Sequence, residues 1–135
     1  MAADAYNLND DAMNYSEFDD EQKRALLELL ALGMYADHHL ALSEDARLRT
    51  VLASLPAASD DARARLLDEV ITRAGRHAST VESRQARTGE LAKQFPGREL
   101  RQRACAEVEA LLRSDRDVSG AEQEFLLLVK EVFRC

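Results

Sequence analysis

Apolar residues recur at helical spacing along most of this chain, and this periodicity constrains the fold more than any other feature. Leu26, Leu27, Leu30 and Met34 form a wide apolar stripe, and similar stripes follow later in the chain. No stretch alternates β-branched and polar residues as a half-buried strand would. Only five glycines and two prolines occur among the 135 residues. The sequence therefore predicts an all-α fold.

The chain divides into a short tail and one domain. Residues 1–17 are polar, acidic and aperiodic, which predicts a flexible N-terminal tail. Residues 18–135 are long enough for a single domain, and the apolar content of the whole chain, 46%, is enough for a core. We expect about six to seven helices in this domain.

Capping and breaking residues mark several helix ends. Asp19 or Ser16 can cap the first helix, which should end near Ala36. Ser59 reads as another N-cap, and its helix should run to Gly75. The segment from 77 to 95 is weaker, and the expected apolar anchors there are Val81, Leu91 and Phe95. The predicted core includes Leu30, Leu52, Leu112 and Phe125.

The net charge of −7 is unevenly distributed. Residues 1–61 hold 13 acidic and four basic residues, whereas residues 62–135 hold 12 acidic and 14 basic residues. An acidic chain is a poor candidate for nucleic-acid binding. The Arg-rich middle, from Arg63 to Arg103, is interpreted mainly as a solvated helix face, with anion binding as the alternative.

Compartment is predicted from the two cysteines and from hydropathy. Cys105 falls among apolar helix positions and is expected to be a buried, inert thiol. Cys135 is expected to fray, so no disulfide framework is predicted and a reducing compartment is favoured. No apolar run suits a transmembrane helix or a signal peptide. These features predict a cytoplasmic protein.

Two short acidic segments share one layout. Each begins with Asp, has an aliphatic residue three positions later and Glu seven positions later, and lies between amphipathic helices. The copies are 78 residues apart. They consist of Asp37, Leu40 and Glu44, and of Asp115, Val118 and Glu122. We predict a duplicated helix–acidic loop–helix unit.

The acidic positions call for an explanation, because a carboxylate beyond a helix C-terminus faces the negative end of the helix dipole. Turn hydrogen bonds, water or a bound cation could offset this effect. Glu122 fits a capping box with Ser119. Ala41 occupies the matching place in the first copy and cannot cap, yet Glu44 is still present. A role shared by both Glu side chains is therefore favoured.

The second segment begins like an EF-hand calcium loop but does not complete its ligand pattern. Asp115, Asp117, Ser119 and Gly120 match its first positions. However, Glu122 stands where an aliphatic residue is needed. Leu126 stands where the loop requires its bidentate Glu. An EF-hand is therefore excluded, and any cation here takes its ligands differently.

These residues resemble the TerB (tellurite-resistance protein B) family. Its signature is an apolar helix ending in Ala-Asp-Gly, then an aliphatic residue, a small polar residue and a Glu opening the next helix. The first copy here runs from Ala36-Asp37 to Glu44, and the second from Asp115 to Glu122. The family's Gly is replaced by His38 in one copy and by Arg116 in the other. The resemblance covers roughly residues 20–134.

The resemblance implies a compact helical fold whose two acidic loops come close together. It implies a non-catalytic cytoplasmic stress-response module that is linked to tellurite resistance and binds a divalent metal ion of unspecified identity. Carried over by position, the metal ligands are Asp37, Glu44, Asp115 and Glu122. Expected partners are proteins, including a membrane protein or its cytoplasmic assembly, with no nucleic acid and no direct membrane insertion.

Other readings remain open. His38, His39 and Asp117 are additional candidate ligands on proximity alone, and histidine would shift the preference toward zinc. The alternative function is a structural or protein-interaction helical domain without metal. Catalysis is not expected, because the sequence has no nucleophile–base pair, phosphate loop or Gly-rich turn.

Overall fold

The computed structural model describes residues 18–36, 42–56, 59–113 and 120–135. Within these ranges the chain forms six α-helices and no strand, so the prediction of an all-α fold with six to seven helices is confirmed. The predicted tail at residues 1–17 lies outside the described residues. The helices are α1 (Asp20–Ala36), α2 (Leu42–Ala53), α3 (Asp60–His77), α4 (Val81–Ala92), α5 (Arg98–Arg113) and α6 (Gly120–Phe133).

Side chains that accept hydrogen bonds fix the starts of α1 and α3. The backbone N–H of Gln22 donates to Asp19 Oδ1 at 2.8 Å. The N–H of Asp19 donates in return to Gln22 Oε1 at 2.9 Å. This reciprocal pair is a capping box. At α3, Ser59 Oγ accepts from the N–H of Ala62 at 3.1 Å. The caps predicted at Asp19 and Ser59 are confirmed.

Two expectations around α3 and α4 are wrong. α3 continues past Gly75 to His77, because this glycine serves packing instead of termination. A Cβ at Gly75 would lie 3.0 Å from the hydroxyl oxygen of Tyr35 on α1. Val81 is 58% exposed and is not a core anchor, because it is the first residue of α4, directly after the capping Thr80.

α1 is the centre of the described fold. α1 contacts each of the other five helices. Every residue from 25 to 34 is buried, so α1 is enclosed on all sides instead of on the single stripe that the sequence predicted. No helix in the described ranges is long and apolar enough to cross a membrane.

The remaining core forms around α1 as expected. Leu30, Leu52, Leu112 and Phe125 are each at most 4% exposed, which confirms their assignment to the core.

An aromatic cluster lies near the N-terminal end of α1. In it, Phe95 contacts Phe18 and Phe133, with ring centroids 5.6 Å and 5.7 Å apart. This cluster joins the segments before α1 and after α4 to the end of α6.

The expectation for the cysteines is right about burial and wrong in two other respects. Cys105 is buried, as predicted, but it is bonded to Cys135 in a disulfide, with the two Cα atoms 6.7 Å apart. Cys135 does not fray, because its N–H donates to the carbonyl of Lys130 at 3.1 Å. Arg134 adopts a φ of 58°, and together these features form a Schellman motif that ends α6. The cysteines therefore no longer favour a reducing compartment.

Candidate functional site

The seven candidate ligands belong to the two acidic segments. Residues 37–41 and 114–119 lie outside the described residues, and they contain five of the candidates. These five are Asp37, His38, His39, Asp115 and Asp117. The backbones of Glu44 and Glu122 belong to α2 and α6, but their side chains are outside the described part. The joint carboxylate site and the pseudo-repeat therefore stay predictions.

The helix ends that border these segments converge, and Gly33 marks the point of contact. A Cβ added at Gly33 would lie 3.3 Å from Cε2 of Phe125 and 3.5 Å from Cδ2 of Leu112. Gly33 lies in the last turn of α1, Leu112 in the last turn of α5 and Phe125 near the start of α6. The two C-terminal helix ends and the beginning of α6 thus meet at one end of the bundle.

The helix ends next to the acidic segments lie close to this contact. α1 ends three residues after Gly33, a rise of about 5 Å along the helix axis. Arg113 ends α5 directly after Leu112, and Phe125 follows Glu122 by three residues. α1 also packs on α2, and α5 packs on α6, which forms two helix pairs. The described helix ends that border the two acidic segments therefore lie at the same end of the bundle.

Elsewhere in the described ranges, no group of three or more His, Cys, Asp or Glu residues lies close enough to hold a metal ion. The charged groups that the described core does bring together are of mixed sign. The metal site predicted from the acidic segments therefore has no rival within the described part of the chain.

Replacing Gly33 with valine is expected to lower the free energy of unfolding by about 1–3 kcal/mol, the usual range for overpacking. The added methyl groups would meet the Phe125 ring and Leu112, which are themselves buried. Urea unfolding followed by circular dichroism measures the loss. The matched control is Gly89→Val in α4, where nothing lies within 4 Å of an added Cβ. An equal loss in both variants would contradict close contact at Gly33.

A buried carboxylate in α1 was missed by sequence reasoning. Glu28 is 1% exposed and lies in the middle of the central helix. Arg87 on α4 donates to it twice, from Nε to Oε2 at 2.5 Å and from Nη2 to Oε1 at 2.8 Å. Arg73 on α3 approaches Oε1 at 3.4 Å. This bidentate pair, with the second arginine, ties α3 and α4 to the central helix.

The surroundings of Arg87 favour its charged form. The hydrogen bond to Glu28 raises the pKa of the Arg87 guanidinium and outweighs the lowering caused by burial. Coulombic attraction from Glu28 and Glu90 adds to the rise in this pKa. One signal in the sequence could have indicated the pair, because Glu28 is the only charge in the apolar run from 25 to 34. Its partner could not be identified, since Arg87 is 59 residues away.

Comparisons of the chain with protein-family models, with curated proteins and with solved structures gave no match. The resemblance to the TerB family therefore depends on the acidic motif and its helical setting.

Proposed function

We propose that this protein is a non-catalytic, TerB-like helical module of the cytoplasm that binds a divalent metal ion and acts in stress response, including tellurite resistance. The metal ligands in this proposal are Asp37, Glu44, Asp115 and Glu122. The module would act through protein partners, among them a membrane protein or its cytoplasmic assembly.

One observation carries the proposal, namely the contact of Gly33 with Leu112 and Phe125. A joint site needs the two acidic segments to begin close together, although they are separated by 78 residues in the sequence. Contact between the ends of α1 and α5 and the start of α6 meets that requirement. Had these helix ends lain at opposite ends of the bundle, a shared cation would be excluded.

The chemistry of the ligands suits a hard cation. Carboxylate oxygens are the preferred ligands of Ca²⁺, Mg²⁺ and Mn²⁺. Four carboxylates brought together repel one another without a cation, so the apo protein would be destabilised by its own site. A cation that binds the folded state would reverse this effect by mass action.

Thermal melts test the proposal. The wild type, Asp37→Asn, Asp115→Asn and the double variant are melted with chelator and then with calcium, magnesium, manganese or zinc. Each Asn variant is expected to be as stable as the wild type or more stable without metal, and to lose most of the metal-dependent rise in Tm. The two substitutions are expected to be non-additive, because each removes a ligand from one site.

Asp68→Asn is the control, since Asp68 is an exposed residue of α3, outside both acidic segments. It is expected to keep the full metal response. No metal-dependent shift in the wild type at millimolar concentration would refute the joint site. Modest, independent losses in the two Asn variants without any metal effect would instead favour the structural or protein-interaction domain.

A further inference from the structure

A charged cleft lies between α1, α3 and α4, beside the buried Glu28. Its volume is about 460 Å³, within the range of small-molecule sites. Ala25 and Leu91 form the apolar part of its lining, and most of the remaining lining is charged. A ligand that complements this cleft must therefore itself be charged.

The acidic side chains of the cleft are largely neutralised. Glu28 is engaged by Arg87 in the bidentate pair, and Glu90 lies 3.8 Å from the same guanidinium. The third acid in the lining, Glu21, is exposed and has no ion-pair partner in the described part of the chain. Together the acids leave the cleft with a small excess of positive charge, because four basic side chains line it.

Three of these basic side chains have N–H donors that no described residue accepts from. Arg24 and Lys93 are exposed, and neither forms a side-chain hydrogen bond or ion pair within the described residues. Arg73 reaches Glu28 with one nitrogen at 3.4 Å, while its side chain is 49% exposed. A guanidinium has five N–H donors, so most of those on Arg73 have no acceptor among the described residues.

The three cations belong to helices, or adjoin a helix, that are held against one another. Arg24 belongs to α1, Arg73 to α3, and Lys93 directly follows α4. The Glu28–Arg87 pair holds α4 against α1. The contact of Arg73 with Glu28 holds α3 against α1 as well. Cations held on separate elements of a fixed scaffold can bind one oxyanion without large reorganisation.

We propose that this cleft binds a phosphate group carried by a small molecule, with Arg24, Arg73 and Lys93 as the groups that contact it. Phosphate has several charged oxygens and can accept charge-assisted hydrogen bonds from all three side chains at once. Glu21 repels further negative charge, which favours a single phosphate over a polyphosphate. This accounts for part of the Arg-rich middle, whose alternative interpretation in the sequence was anion binding.

The cleft is separate from the acidic segments. It adjoins the N-terminal half of α1, while the first acidic segment follows Ala36 at the other end. Fifteen residues separate Glu21 from Ala36, which corresponds to about 22 Å along a helix. Failure of the metal proposal would therefore leave the phosphate proposal untouched.

Calorimetric titration of the full chain with inorganic phosphate, at constant ionic strength, tests this site. The wild type is expected to bind one phosphate saturably. Arg24→Gln and Lys93→Gln are each expected to raise the Kd about tenfold or more, as loss of a hydrogen bond to a charged group does. Acetate at the same ionic strength is expected to bind more weakly, because it offers fewer charged oxygens.

The matched control is Arg65→Gln, which removes one exposed arginine of α3 that does not line the cleft. Its Kd for phosphate is expected to equal that of the wild type. Arg24→Lys keeps the charge and should bind more tightly than Arg24→Gln, provided that the Tm values of all variants agree. Absence of saturable binding, an equal loss in Arg65→Gln, or equal affinity for acetate would overturn the proposal.

Discussion

Replacing Arg87 with methionine is expected to lower the free energy of unfolding by about 3–5 kcal/mol, as removal of one partner from a buried ion pair does. The substitution leaves the Glu28 carboxylate, whose side chain is 2% exposed, with Arg73 at 3.4 Å as its remaining cation. Methionine retains much of the length of the side chain, so lost packing contributes little. Urea unfolding at neutral pH measures the change.

A double-mutant cycle separates the ion pair from other effects. Glu28→Met combined with Arg87→Met removes both charges, and the double variant is expected to lose less than the sum of the single losses. Arg113→Met is the control, because Arg113 has a 68% exposed side chain and pairs with Glu109 on the same helix. Its loss should stay below about 1 kcal/mol. Additive losses at Glu28 and Arg87 would show that the pair is not coupled.

Replacing Cys135 with serine is expected to lower the free energy of unfolding of the oxidised protein by about 3–4 kcal/mol, from the loop-closure entropy of the bridge. The disulfide joins residues 30 positions apart and connects α5 to the end of α6. Without it, the unfolded chain regains freedom that the bridge had removed. Cys135 is the better position to change, because it is exposed whereas Cys105 is buried.

Unfolding with and without reductant measures this contribution. The wild type is expected to lose stability when reductant is added, and Cys135→Ser is expected to be insensitive to it. The serine variant thus serves as the control for nonspecific effects of the reductant. Thiol titration of the unreduced, denatured wild type should find no free cysteine. Two titratable thiols in that assay would contradict the bridge.

Local signals in the sequence predicted the helices well. The caps at Asp19 and Ser59 depend on a side-chain oxygen and the next few backbone N–H groups, so sequence reading finds them. Leu30 and Phe125 were assigned to the core from helical spacing and are buried. Val81 was misassigned because an apolar residue at the first position of a helix need not face the core.

Contacts between distant parts of the chain were not predictable in the same way. The partner of Glu28 is 59 residues away, and the position of Glu28 within an apolar run does not say which residue pairs with it. The disulfide was missed because a Schellman motif, with Arg134 at positive φ, holds the residue that was expected to fray. For the acidic segments, the sequence supplies a predicted set of ligands, and the structure adds only that the described helix ends bordering them lie close together.

The central position of α1 also has a consequence for synthesis on the ribosome. α1 precedes all five helices that cover it, and the last of these ends at Phe133, 97 residues after Ala36. At translation rates of about 5–20 residues per second, roughly 5–20 s pass between the synthesis of α1 and the synthesis of the last helix that covers it. The leucines of α1 are therefore made before the helices that bury them, and we expect the yield of folded protein to depend on elongation rate and on chaperones.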